Sequence, residues 1–138
     1  MQYIKPKYIS LQKSPSFNEK WIQNIIAEDP GILGLGTLST VSKEKILSSG
    51  GRVDLILGDD ESSVRYEVEI QLGKTDPSHI IRVLEYWDLE RKRYPEFDHV
   101  AVLEAEEITS RFFNVISLFN GVIPIIALQM KCIEIDNK

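Results

Sequence analysis

Two short apolar runs carry carboxylates where a buried strand would ordinarily carry none. The first is Gly51-Arg52-Val53-Asp54-Leu55-Ile56-Leu57 and the second is Tyr66-Glu67-Val68-Glu69-Ile70-Gln71-Leu72, joined by the turn-rich stretch Gly58 to Ser63. A carboxylate in an apolar setting must be paired, neutralised or bound to a metal. No basic residue sits among the acids of the second run, so the sequence points first to a divalent cation.

Alternation along a strand sends Glu67, Glu69 and Gln71 to one face and Val68, Ile70 and Leu72 to the other. If the turn folds the two runs into a hairpin, Asp54 lies opposite or diagonal to Glu67 and Glu69, with directly opposed Cβ atoms about 5 Å apart. Two carboxylates at that spacing can share a hard ion. Mg²⁺ and Mn²⁺ take oxygen ligands and keep waters and phosphate oxygens in their shells, so two or three protein ligands suffice. The alternative is a solvated face of an ordinary antiparallel hairpin, on which the acids simply meet water.

The rest of the composition bounds the reading. At 138 residues and 43% hydrophobic, the chain has the size and composition of one globular domain. Met1 to Ser10 lacks the apolar stretch of a signal peptide and no run is long enough to cross a bilayer, so a cytoplasmic location with no membrane partner is expected. The single Cys132 offers no internal disulfide, and no His/Cys cluster suggests structural zinc. A net charge of -5 argues against a nonspecific nucleic-acid coat but leaves a nuclease open. The bases are concentrated at Arg91-Lys92-Arg93, a cluster that also suits a solvated helix end, with Lys74, Arg82 and Arg111 elsewhere.

Along the chain, residues 1–16 read as an irregular or partly extended arm without a chemical motif, and residues 17–138 as a single domain. Asn18 caps a helix with Trp21, Ile22, Ile25 and Ile26 at helical spacing, ended by Asp29-Pro30-Gly31. A short strand over Leu38 to Val41 precedes the hairpin. A second helix runs from about Ser78 to Arg93, with Ile80, Ile81, Leu84 and Trp87 as its buried stripe. Then come a strand over His99 to Leu103, a helix from Thr109 to Phe119 with Phe112, Phe113, Ile116 and Phe119 inward, and a strand from Ile123 to Met130. His79 and His99 read as helix-start and strand-start residues, and Glu67 as supporting or solvent-facing, with its shared face leaving it as an alternative ligand. The order α-β-β-β-α-β-α-β predicts an α/β layer structure with a central mixed sheet flanked by helices.

These residues resemble the PD-(D/E)XK nuclease superfamily over about Phe17 to Met130, most closely its RecB-like branch, which includes archaeal mismatch-type endonuclease domains. Phe17-Asn18-Glu19-Lys20-Trp21 is similar to the family's first-helix motif, and Asp29-Pro30-Gly31 to the stop that follows it. Gly51-Arg52-Val53-Asp54 matches the Asp motif, and Glu69-Ile70-Gln71 the E-x-K position with glutamine in place of lysine. The resemblance implies a restriction-endonuclease-like core and metal-dependent hydrolysis of phosphodiester bonds in nucleic acid, DNA foremost. It implies that Asp54, Glu69 and the Ile70 carbonyl hold Mg²⁺ or Mn²⁺, that Glu19 acts through water or as an outer ligand, and that Gln71 takes the lysine position. Glutamine can orient water but supplies no charge, although some restriction endonucleases of this fold carry it there. With no separate recognition domain, sequence selectivity would need loops, a homodimer or a protein partner. The rival expectation is an inactive nuclease-fold module that binds nucleic acid or a protein. A purely structural interaction domain with a solvated acidic hairpin is the third.

Overall fold

The apolar runs organise the chain as a layered sheet. The computed structural model describes all 138 residues as β1 (Lys7–Ile9), α1 (Glu19–Glu28), a 3-10 turn (Pro30–Leu33), β2 (Leu38–Ile46), β3 (Arg52–Asp59) and β4 (Val64–Lys74), then α2 (Pro77–Arg93), β5 (Asp98–Glu107), α3 (Ser110–Phe119), β6 (Ile125–Gln129) and β7 (Cys132–Glu134). Strands β2-β3-β4-β5-β6 form one sheet in that order. β2, β3 and β4 are antiparallel neighbours, whereas β4, β5 and β6 run parallel. The expected α-β-β-β-α-β-α-β order and mixed sheet are therefore present.

Both faces of the sheet are covered. Ile22 and Ile26 of α1 pack with Leu55, Leu57, Val68, Ile70 and Val102 on one face. Ile80 and Val83 of α2 and Ile116 of α3 pack with Ala101, Leu103 and Ile125 on the other. β4, at the centre, is consequently buried on both sides, and Glu67, Glu69 and Gln71 are only 0%, 4% and 5% exposed. The solvated acidic hairpin is thereby overturned, because α2 covers the face that carries these side chains.

Local chemistry fixes the helix starts. The Asn18 side chain accepts the Trp21 N–H at 3.1 Å, and Asp76 accepts the His79 N–H at 3.2 Å, each satisfying a donor the helix leaves free. Thr109 caps α3 in the same way. The buried stripe of α2 is Ile80, Val83, Tyr86 and Glu90, so Ile81 points to solvent, contrary to expectation. Phe113 and Phe119 of α3 are likewise exposed, since α3 lies at the sheet margin with Ile116 as its buried contact. β2 is longer than its apolar residues announce, because its backbone pairing with β3 reaches Ile46.

The amino-terminal segment is more ordered than its polar composition suggests. β1 pairs with β7 as a two-stranded ribbon, and Leu11 is buried in the core beside α1. The Glu106 carboxylate receives three N–H groups, from Leu11 at 2.7 Å, Gln12 at 2.9 Å and Gly73 at 2.8 Å. This clamp ties the arm to the end of β4. Gly73 has φ of +76°, a backbone conformation that favours glycine, and a Cβ there would displace the end of the Gln12 side chain, 2.6 Å away.

Replacing Glu106 by alanine is expected to destabilise the protein by about 2–4 kcal/mol, the scale of several hydrogen bonds to a charged acceptor. Amide exchange at Leu11 and Gln12 should rise more than exchange at Val68. Equal acceleration at both would show that the arm has no separate latch.

Candidate active site

The β3–β4 pairing runs only from Leu55↔Val68 to Gly58↔Arg65. Beyond Leu55 the strands part, and β4 continues beside β5. In continued register Asp54 faces Glu69 at the mouth of this opening. Asp54 Oδ2 accepts the Ile70 N–H at 2.8 Å, replacing the ladder bond that the parting strands no longer make. Two contiguous clefts, about 490 and 220 Å³, meet at Glu19, Arg52, Asp54 and Ile70. Glu69, His79, Arg82 and Tyr86 complete the smaller one.

Glu19 reaches this place through Gln23, one helical turn further on. The buried Gln23 Nε2 donates to the Asp54 carbonyl at 2.7 Å and so docks α1 against the start of β3. Gly51, just before β3, lies under the Tyr86 ring, and a Cβ there would be 2.6 Å from it. That close approach is why glycine precedes Arg52.

The structure therefore brings Glu19, Asp54, Glu69 and Ile70 together. Gln71 lines neither cleft. Its Nε2 donates to the Lys74 carbonyl at 2.8 Å across a bulge in β4, and its Oε1 is enclosed without a partner. The cation nearest the acids is Arg82 of α2, whose Nη1 lies 3.3 Å from Glu69 Oε1. Lys74 is an exposed residue that reaches Glu107.

Electrostatics follow the burial. Desolvation raises the pKa of Asp54, the Ile70 hydrogen bond opposes this, and the Glu19 charge adds to the rise. Desolvation and then the Asp54 charge raise Glu69, against the pull of Arg82. Glu69 Oε2 is buried without a hydrogen-bond partner. No set of three or more His, Cys, Asp or Glu side chains is gathered as a ready-made metal cluster. What the site offers is two facing oxygen donors with excess negative charge, a set of the kind a hard divalent ion takes when waters complete its shell.

Glu67 is not solvent-facing. It is fully enclosed and hydrogen-bonded to His99 Nδ1, while His99 Nε2 donates to the Tyr94 carbonyl at 2.8 Å. Burial pushes Glu67 up to about 7, with His99 opposing. With Nε2–H committed to Tyr94, the Glu67–His99 contact holds a single proton. The acids of β4 thus find basic partners on other elements, His99 on β5 and Arg82 on α2. A search confined to neighbouring residues could not find these pairs, nor Gln23 or Gln12. A polar residue inside the apolar stripe of α1 was the one available sign of Gln23.

Comparison with known protein families finds no match for this sequence, nor does comparison with curated proteins. Solved structures do match in fold. A repair endonuclease from Pyrococcus abyssi is similar at 18% identity and a TM-score of 0.68, over 86% of this chain and 49% of that one. EndoMS in a complex with double-stranded DNA is similar at 16% identity and a TM-score of 0.66, over 80% of this chain and 44% of that one. EndoMS in its apo form gives 16% and 0.59, over 85% and 48%. The fold is thus a restriction-endonuclease-like core, and the chain spans about half the length of these structures.

The raised pKa values of Asp54 and Glu69 set a sign for stability. Between their unfolded and folded values the native state holds more protons, so stability of the metal-free protein falls as pH rises. In EDTA, Asp54→Asn should stabilise the protein at pH 8, because it removes a carboxylate that burial and the Glu19 charge disfavour, and the gain should shrink at pH 4. Urea unfolding at the two pH values checks this; a gain of the same size at both would remove the charge explanation.

Proposed function

We propose that the chain is a divalent-metal-dependent nuclease that hydrolyses phosphodiester bonds in DNA. The observation that carries this reading is the facing pair Asp54 and Glu69 at the mouth of an open, cation-rimmed cleft in a restriction-endonuclease-like core. DNA as the substrate is favoured because one structural neighbour is EndoMS complexed with double-stranded DNA. The charge of -5 is no obstacle, since the cations that matter are local. Arg52, Lys20 and Arg82 stand around the acids and would take backbone phosphates.

Asp54, Glu69 and the Ile70 carbonyl would hold Mg²⁺ or Mn²⁺, and Glu19 would act as an outer ligand. The ion would supply a low-pKa water and charge stabilisation at the phosphate. The chain's own residues do the rest. Arg82, held by Glu69 at 3.3 Å, can donate to a phosphate oxygen through the nitrogens that this contact leaves free. It takes the charged role that glutamine at position 71 cannot. Glu19, which lines the same cleft, would accept from a water facing Asp54. Gln23 fixes the distance between Glu19 and Asp54 by tying α1 to β3. Gln71 contributes by holding the β4 bulge next to Glu69.

No helix is long and apolar enough to cross a membrane. A cytoplasmic location belongs to this proposal, as does a homodimer or protein partner to supply sequence selectivity. The second reading is an inactive nuclease-fold module that binds nucleic acid or a protein. The engagement of the Gln71 amide with Lys74 favours it, because no lysine stands at that place.

Cleavage of labelled single- and double-stranded DNA and RNA, with Mg²⁺, Mn²⁺ or EDTA, tests both readings. Asp54→Ala and Glu69→Ala should each lower metal-dependent cutting of DNA at least ~100-fold, the scale of losing a principal electrostatic group. Arg82→Ala should cost about 10–100-fold on the same scale, and Gln71→Ala less. Unchanged cleavage by Asp54→Ala in a clean preparation sinks the nuclease. Mn²⁺ binding without cleavage of any substrate would establish the inactive module.

A further inference from the structure

On the α1 face of the sheet, away from Asp54, a second cleft of about 500 Å³ opens between α1, the 3-10 turn and the β6–β7 segment. It shares no residue with the two clefts of the candidate active site. Its walls are apolar: Trp21, Ile25 and Leu33 on one side, Leu128, Met130 and Ile133 on the other. At its floor stands Glu104 of β5, 4% exposed. Glu104 follows Val102 on the α1 face and pairs in register with Ile70.

Nothing in the protein satisfies this carboxyl. Its Oε2 is enclosed without a partner, and burial alone, with no neighbouring charge or hydrogen bond, pushes its pKa up to about 7. A leucine would fill the same place without the desolvation cost that an acid carries. The other buried acids have partners: Glu67 has His99, Glu69 has Arg82 and Glu90 has Lys45. Glu104 has none, and it faces a cavity large enough for a small ligand. The nearest rim cation, Lys131, is turned over the Tyr8 ring, 5.6 Å from its centroid.

We infer that this cleft binds a small molecule with a primary ammonium group on an apolar body, the ammonium donating to Glu104 and the body lying against the Trp21 and Met130 walls. An ammonium offers three donors and the charge opposite to the carboxylate. An anionic ligand meets no buried cation here. A metal ion would find a single carboxylate and no second acid or histidine among the lining residues. The occupant is thus defined by one charge and a volume, independently of whether the chain cuts DNA.

The test uses the full chain with n-hexylamine as probe and n-hexanol as its uncharged counterpart, titrated at pH 7.5 by calorimetry and tryptophan fluorescence. Hexylamine should bind saturably and at least tenfold more tightly than hexanol, and Glu104→Gln should abolish that preference. Glutamine is a neutral isostere, so the variant should melt no lower than the wild type at pH 8. Carbon-13 NMR of the Glu104 carboxyl in the wild type gives an independent readout, in which saturating hexylamine should lower its pKa by at least one unit. No saturable binding, equal binding of amine and alcohol, a preference that survives Glu104→Gln, or an unmoved Glu104 titration would each overturn the inference.

Discussion

The structure depends on a central strand that is buried on both faces and nevertheless carries acids on one of them. β4 gives Val68 and Ile70 to the α1 side and Glu67, Glu69 and Gln71 to the α2 side. Each of the latter three needs a partner, and each partner dictates a piece of geometry. His99 joins β5 to β4 through Glu67 and reaches Tyr94 just after α2. Arg82 brings α2 over Glu69. Gln71 closes the bulge that turns β4 toward α2. A uniformly apolar strand would bury more cheaply, but it would place no carboxylate beside Asp54 where β3 and β4 separate.

That separation is held from both sides. Asp54 takes the Ile70 N–H, Gln23 takes the Asp54 carbonyl, and Glu106 fixes the arm so that Gln12 lines the larger cleft. Without these bonds, the parted strands would leave backbone donors and acceptors unsatisfied near the core, at about 1–3 kcal/mol each. The opening is therefore a built feature of the sheet, with a polar closure for each exposed backbone group named here.

How much of this was legible in the sequence depends on the range of the interaction. Alternation and a turn-rich link were enough to set Asp54 opposite or diagonal to Glu67 and Glu69, because strand period and hairpin closure are local. The Asn18 cap and the extent of α2 were legible for the same reason. What alternation could not tell was that the acidic face would be covered, since that depends on where α2 returns. The pairs Glu67–His99, Arg82–Glu69 and Gln23–Asp54 join residues 32, 13 and 31 positions apart, and no local pattern announces them. Ile81, Phe113 and Phe119 mislead because hydrophobicity marks a side chain that could be buried, whereas a helix at the margin of a sheet has only one face to bury. Residues 7–11 mislead in the opposite sense: Lys7–Ile9 gains order from β7, a strand more than a hundred residues away.

Charge counting explains why the acids of the candidate active site are not a finished arrangement. Glu19, Asp54 and Glu69 bring three carboxylates to one opening, and Arg82 stands against Glu69 alone, with its own side chain 43% exposed. Arg52 is more exposed still and lies 3.9 Å from Glu44, so its charge is shared with an acid outside the trio. A half-exposed ion pair of this kind is worth about 0–1 kcal/mol, less than the cost of holding two carboxylates together in a partly dry cleft. Burial first, and the neighbouring negative charge after it, raise the pKa values of Asp54 and Glu69. Adding another arginine would relieve the charge imbalance but would fill the opening with its side chain. A divalent ion would relieve it in a smaller volume while leaving coordination positions for water and phosphate oxygen. The imbalance distinguishes this place from Glu67, which is fully enclosed and has a histidine of the fold as its hydrogen-bond partner.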